Sequence, residues 1–185
     1  MLTRRHFIAS GAAGLVATTA KAAQPLSVED RFKVQLVSIR NSIPKGEIHV
    51  TPWNHFLYLS LGDGQAIRYG VAVGAEGRNF AGEAVVARKA EWPRWTPTPS
   101  MIEREPEKYA PWANGMPGGP RNPLGARALY LYQNGVDTLY RIHGTPEPWT
   151  IGSSVSSGCV RLVNPHVEHL YRRVPVGSKV IVHAA

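Results

Sequence analysis

The chain has 185 residues, of which 43% are hydrophobic and 18% charged, and its formal net charge is +8. These values are typical of one soluble globular domain with a sizeable core, and they exclude a largely disordered chain. The basic residues are scattered and no nucleic-acid-binding motif accompanies them, so the charge does not predict nucleic acid as a partner. Fifteen prolines and 18 glycines indicate many turns rather than long helices.

The first residues have the pattern of an export signal. Arg4-Arg5 precedes a mildly apolar stretch over residues 8–20, and Ala20-Lys21-Ala22 fits an A-x-A cleavage site. The apolar stretch is too short, and too rich in Gly, Ala and Thr, to span a bilayer. We therefore predict a twin-arginine signal peptide over 1–22, a periplasmic or exported protein, and no membrane span after processing. Loss of three basic residues would lower the net charge to +5.

Residues 23–45 are predicted to be a lead-in segment, loose up to Val34 and followed by a short strand at 35–39. Beyond it, short alternating segments separated by Gly, Pro and Asp predict a β-meander. The predicted strands cover residues 47–50, 56–61, 66–73 and 84–88.

Residues 91–123 have a different composition, with eight prolines and three tryptophans. A disordered linker is the alternative, but disordered segments are poor in aromatic residues. Long irregular stretches inside a compact domain are often functional. We therefore predict a folded Pro-rich flap, meaning residues 91–123, beside the functional site.

A second hairpin is predicted from strands at 128–132 and 138–142, joined by Asn134-Gly135. Asn164 is the expected N-cap of the one clear helix, with Pro165 at its first turn. A final strand is predicted at 179–183. His166 and His169 share a face of the helix and are interpreted as solvated, so no metal site is predicted.

Cys159 is the only cysteine, so it is expected to be a free thiol. A lone thiol with a histidine upstream is a candidate nucleophile and base, because an imidazole can take the thiol proton. The small residues before Cys159 leave backbone N–H groups that suit a developing oxyanion. A small buried hydrophobic residue is the alternative interpretation of a single cysteine.

Two motifs favour the catalytic interpretation. Ile142-His143-Gly144-Thr145, followed by Ser156-Ser157-Gly158-Cys159-Val160-Arg161-Leu162, resembles the signature of the L,D-transpeptidase (YkuD-like) catalytic domain family. Residues 122–129 also resemble the end of the Pro-rich insertion of that family. The resemblance covers about residues 46–182, and we assign a catalytic domain to 46–185. It implies a mostly β fold of the L,D-transpeptidase β-sandwich type, with one short helix after the cysteine.

The resemblance also implies roles for individual residues. Cys159 would be the nucleophile and His143 the general acid and base, and the backbone carbonyl of Gly144 would hold the imidazole in the required tautomer. Arg161 would bind a substrate carboxylate, with a structural ion pair as its alternative. The remaining candidate substrate-binding residues are Ser156, Ser157, Gly158 and Trp149; Gly158 would contribute a backbone N–H to the oxyanion site, and Trp149 would form the pocket rim or simply pack.

The implied reaction cross-links the stem peptides of peptidoglycan through a cysteine acyl-enzyme, without a metal or an organic cofactor, and implies acylation by carbapenems. Ser157 stands where the family usually has histidine. Two alternatives stay open: an L,D-carboxypeptidase that trims tetrapeptide stems, and a non-catalytic wall-binding domain. The sequence leaves the oligomeric state open.

Overall fold

The computed structural model describes residues 28–78 and 80–184. The predicted signal peptide over 1–22 lies outside the described residues. The described chain forms eleven strands: β1 Gln35–Ser38, β2 Ile48–Thr51, β3 Phe56–Gly62, β4 Gln65–Gly70, β5 Val73–Gly74, β6 Gly82–Glu91, β7 Arg127–Gln133, β8 Val136–Thr145, β9 Ser154–Ser156, β10 Val160–Val163 and β11 Lys179–Val182. The prediction of a mostly β fold is confirmed.

Nine of these strands form one sheet in the order β1-β4-β3-β2-β11-β6-β7-β8-β10, and β5 pairs with β9 separately. Ala72, just before β5, exchanges two backbone hydrogen bonds of 2.8 and 2.9 Å with Arg161 in β10. Because β4 lies near one end of the sheet and β10 forms the other, this contact brings the two ends of the sheet together around the core.

The main core is a cluster of buried apolar side chains that alternate along the strands. Ile48 and Val50 of β2 are fully buried, and Thr51 beside them is only partly buried, as expected for a sheet with one face inward. Strands from both ends of the sheet contribute to this cluster, so a break in the Ala72–Arg161 contact would expose it.

In the described part of the chain, three short α-helices accompany the sheet: α1 Pro99–Arg104, α2 Pro106–Tyr109 and α3 Asn164–Tyr171. The first two lie in the flap, and each starts at a proline, whose fixed φ and missing N–H suit a first turn. α3 packs on β7 and β8 through the buried Val167 and Leu170. No helix among residues 28–78 and 80–184 has the length and hydropathy needed to cross a membrane.

Two local predictions differ from the structure. Asn164 is the first residue of α3 rather than its cap, and its Oδ1 accepts the backbone N–H of Ala126 at 2.9 Å. His166 and His169 are not solvated but half-buried against Tyr69. The Tyr69 hydroxyl and Nδ1 of His169 share a hydrogen bond of 2.8 Å. In both cases, contacts with distant parts of the chain override what the local sequence predicts.

The structure describes residues 28–45 of the lead-in segment, and part of this stretch packs against the rest of the chain. Asp30–Phe32 forms a 3₁₀ turn that places Phe32 in a second cluster, where only 2% of it is exposed. Gly70 and Gly152 leave the space for it, since a Cβ on either would approach Phe32 to 2.3 Å. Phe32 thus ties the lead-in to the loop that precedes β9.

Substitution of Phe32 by alanine removes this anchor. We expect Phe32→Ala to lower the free energy of unfolding by about 3 kcal/mol, because it leaves a cavity between two glycines. Leu36→Ala is the matched control, since Leu36 is 63% exposed and its truncation is expected to cost less than about 0.5 kcal/mol. Urea unfolding monitored by fluorescence measures both, and equal losses would contradict the assignment of Phe32 as an anchor.

Candidate active site

Parallel pairing of β8 with β10 builds the site. Arg161 lies in register with His143, and Cys159 ends the loop that leads into β10. We call residues 153–159 the cysteine loop. A cleft of about 210 Å³ is lined by Cys159, His143 and Arg161 together, with flap residues on its other side. The structure therefore brings the predicted nucleophile, base and arginine to one cavity.

His143 is held as a neutral imidazole. It is 4% exposed, and its Nδ1–H donates to the carbonyl of Gly144 at 2.5 Å. Burial, and then the nearby Arg161 guanidinium, lower the pKa of His143 from 6.5 to about 3. With Nδ1 as the donor, Nε2 carries the lone pair that can accept a proton.

The carbonyl of Gly144 is positioned by close packing. A Cβ on Gly144 would lie 2.3 Å from Oδ1 of Asn164 and 3.0 Å from the nitrogen of Ala126. A Cβ on Gly125, whose φ is +61, would also lie 2.3 Å from Oδ1 of Asn164. The Asn164 amide thus sits against two glycines, and only residues without a side chain allow this approach.

Cys159 is half-buried, and its Sγ–H points toward the carbonyl of Leu139 at 3.9 Å. Burial raises the pKa of Cys159, although the nearby Arg141 and Arg161 oppose the shift. The site at rest therefore pairs a neutral thiol with a neutral imidazole rather than a thiolate with an imidazolium.

Ser156 and Gly158 organise the cysteine loop. The Ser156 hydroxyl is 1% exposed, donates to the carbonyl of Cys159 at 2.6 Å, and accepts the N–H of Gly158 at 3.1 Å. Gly158 has φ +127, and a Cβ there would lie 2.5 Å from the Tyr140 ring. Its N–H is thus already used within the loop, whereas the backbone N–H of Cys159 has no partner among the described residues.

Ser157 is exposed and faces the flap. Its Oγ accepts a hydrogen bond from Arg104 of α1 at 3.3 Å. Ser157 thus contacts the flap from the position where histidine was expected.

Arg161 forms an ion pair with Glu147, at 3.1 Å between Nη1 and Oε2. Its Nε is buried and has no hydrogen-bond partner among the described residues. Trp149 is 76% exposed in a neighbouring depression that also includes Arg161 and Glu147. This exposure does not fit the alternative that Trp149 simply packs.

The family model for the L,D-transpeptidase catalytic domain (YkuD) matches residues 45–182. The chain belongs to this family. A predicted L,D-transpeptidase from the ATP synthase subunits region of Fuscovulum blasticum is 34% identical over 98% of this chain and 97% of its own length. The predicted L,D-transpeptidase YbiS of Escherichia coli is 43% identical over 51% of this chain, and the match spans only 29% of YbiS.

Solved structures share the fold. A Brucella melitensis protein named as a predicted carnitine operon oxidoreductase is 50% identical, with a TM-score of 0.59 over 85% of this chain and 97% of that chain. That name denotes a different activity from the family to which this chain belongs. L,D-transpeptidase 3 of Mycobacterium tuberculosis, solved with a faropenem-derived adduct, has a TM-score of 0.55 over 74% of this chain and 59% of that chain, at 17% identity. At this identity it shows the fold alone.

In this L,D-transpeptidase domain the flap closes one side of the cleft, as predicted. Trp95, Met101 and Tyr109 line the cleft together with His143. Asn122 anchors the base of the flap: it is 1% exposed, its Nδ2 lies within 3.2 Å of three flap carbonyls, and its Oδ1 accepts the N–H of Leu124 at 2.8 Å. Of the three flap tryptophans, Trp95 alone is buried, at 9% exposure.

Sequence reasoning missed Glu147, Asn164 and Leu139 as parts of the site. Glu147 lies only four residues beyond His143, so its presence in the motif region was a usable signal. The sequence carried no such signal for the other two residues, because Leu139 contacts Cys159 through its backbone and Asn164 acts through packing. No group of three or more His, Cys, Asp or Glu side chains among residues 28–78 and 80–184 is arranged to hold a metal ion.

The resting protonation state is directly measurable, because Cys159 is the only cysteine. Ultraviolet difference spectra of wild type minus Cys159→Ala report the thiolate. We expect thiolate absorbance to emerge only above the ordinary pKa of a thiol, because burial raises the pKa of Cys159. Substantial thiolate at neutral pH would instead indicate a thiolate–imidazolium pair.

The pKa of His143 also predicts how stability depends on pH. The unfolded chain binds a proton at His143 below about pH 6.5, whereas the folded chain does so only near 3. The free energy of unfolding therefore falls with decreasing pH, by about 2 kcal/mol between pH 7 and pH 5 from this residue. We expect His143→Asn to remove that part of the loss in urea unfolding curves. Wild type and variant losing stability in parallel would contradict the assignment.

Proposed function

We propose that this domain is a peptidoglycan L,D-transpeptidase that works through an acyl-enzyme on Cys159. The observation that carries the proposal is the shared cleft of Cys159, His143 and Arg161, in a chain that belongs to the L,D-transpeptidase family. The twin-arginine pattern at the N-terminus supports action outside the cytoplasm, where stem peptides are found.

In the first half-reaction, Sγ of Cys159 attacks the carbonyl of the third residue of a tetrapeptide stem. His143 takes the thiol proton on Nε2, while Nδ1–H stays bonded to the carbonyl of Gly144. The Gly144 carbonyl is the third member of a triad with Cys159 and His143, and it stabilises the charged imidazole ring. The C–N bond then breaks, and His143 returns the proton to the amine of the departing D-alanine.

The oxyanion formed during attack requires donors. The N–H of Cys159 is the suitable group, because the N–H of Gly158 already donates to Ser156. A donor in a partly dehydrated cleft is worth about 3 kcal/mol toward the barrier in comparable acyl-transfer sites. Ser156 acts indirectly, by fixing the loop.

The charges of the cleft suit an anionic stem. Lys108, Arg121 and Arg161 line it against a single acidic residue, Glu147. A stem carboxylate would replace the Glu147 carboxylate on Arg161, because a guanidinium can bind a carboxylate through two hydrogen bonds. The faropenem-derived adduct on the M. tuberculosis protein supports the expectation that β-lactams of the carbapenem class acylate Cys159.

Intact-mass analysis tests the acyl-enzyme. We expect wild type to gain the mass of the acyl group from a tetrapeptide donor or a carbapenem, and Cys159→Ala to gain none. His143→Ala is expected to acylate about a hundredfold or more slowly, since general base assistance is lost. His183→Ala is the matched control, because His183 lines neither this cleft nor the depression around Trp149, and its ring contacts His49 and Trp53 instead.

The products from purified muropeptides separate the remaining candidates. Cross-linked dimers would support transpeptidation, whereas trimmed tripeptide without dimers would indicate an L,D-carboxypeptidase. Absence of any mass gain on folded wild type would leave a wall-binding domain and contradict the proposed function.

A further inference from the structure

A second cavity reaches Cys159 from another side. It has a volume of about 400 Å³, and three arginines line it: Arg88, Arg94 and Arg141. We call this cavity the arginine pocket. His143 does not line it, but Cys159 lines both cavities, with Trp95, Met101 and Leu124 also shared between them. A group bound in the arginine pocket would therefore approach the thiol, or an acyl group on it, from outside the cleft that holds the stem.

The strand register places two of these arginines in a row. Arg88 of β6 is opposite Tyr130 of β7, and Tyr130 is opposite Arg141 of β8. The guanidinium carbons of Arg88 and Arg141 lie 3.4 and 4.4 Å from the centroid of the Tyr130 ring. Tyr130 is only 5% exposed, so a fixed ring orients both cations.

The three arginines differ in the ion pairs and hydrogen bonds that their guanidinium groups make. Arg141 makes a bidentate ion pair with Asp137, at 2.6 and 2.8 Å. Arg94 donates to flap carbonyls. Arg88 makes no ion pair or side-chain hydrogen bond among residues 28–78 and 80–184. The pocket thus has three positive charges near one neutralising carboxylate, and Arg88 is the guanidinium left for an anion.

We propose that the arginine pocket binds the acyl acceptor and selects an amine that carries a carboxylate, with Arg88 as the carboxylate-binding residue. The inference rests on the proposed acyl-enzyme. The favoured acceptor is the side-chain amine of a diamino dicarboxylic acid in a second stem, whose carboxylate sits on the same carbon as the amine. A guanidinium recognises such a group by two parallel hydrogen bonds.

The transfer step then follows from this placement. The acceptor nitrogen attacks the thioester carbonyl, a C–N bond forms, and the C–S bond breaks with its electron pair left on Sγ. The proton lost by the nitrogen passes to Nε2 of His143 and from there to Sγ, which restores the neutral thiol. Water carries no carboxylate, so Arg88 would favour transfer over hydrolysis.

Competition between two amines tests the role of Arg88. Full-length protein is given a tetrapeptide donor with equal concentrations of diaminopimelate and 1,5-diaminopentane, which has the same chain without carboxylates. Mass spectrometry measures the ratio of the two amide products. Both products form from the same acyl-enzyme, so a change in the acylation rate does not alter this ratio. We expect Arg88→Ala to lower this ratio about tenfold, and Arg88→Lys to lower it less because the charge remains.

Arg172→Ala is the control, since it removes a positive charge at the exposed end of α3, away from both cavities. It should leave the ratio at the wild-type value, and thermal unfolding checks that all variants are folded. An unchanged ratio in folded Arg88→Ala would overturn the assignment of Arg88. Acylated wild type that yields only hydrolysis in the presence of both amines would overturn the acceptor pocket while the acyl-enzyme stands. Wild type that is never acylated would overturn the proposed function and this inference together.

Discussion

The parallel pairing of β8 with β10 is the constraint on which the site depends. Parallel neighbours need a long crossover, and here it runs from the end of β8 at Thr145 to the start of β10 at Val160. That crossover carries Glu147, Trp149 and the cysteine loop over one end of the sheet. The register sets Arg161 opposite His143 on paired strands, and the proposed nucleophile Cys159 ends the loop that leads directly into β10.

Burial has opposite effects on the two reacting groups. It raises the pKa of the Cys159 thiol and lowers the pKa of the His143 ring, so burial disfavours the charged form of each group. Proton transfer is then expected to accompany attack on the carbonyl rather than to precede it. The carbonyl of Gly144, held by the Asn164 contact, is in place to stabilise the imidazolium once it forms.

The flap gives the site two approaches. Trp95 and Met101 lie between the cleft that contains His143 and the arginine pocket, so the same two side chains border both. Asn122 fixes the base of the flap, and the Arg104–Ser157 hydrogen bond links α1 to the cysteine loop. The proposed acyl transfer needs separate places for donor and acceptor, and the two cavities that Cys159 lines would provide them.

The sequence by itself determined the mostly β class and predicted the Pro-rich flap, and it singled out Cys159, His143 and Arg161 as candidates, because these follow from local alternation, composition and a motif. Only the tertiary structure decided the partners: Glu147 on Arg161, the inward Ser156 that uses the N–H of Gly158, and the arginine row across three strands. A pattern along the chain reports which residues face inward, but not which strands pair or in what register. Strand pairing and register arise from packing between distant segments, and they set the distances on which this chemistry depends.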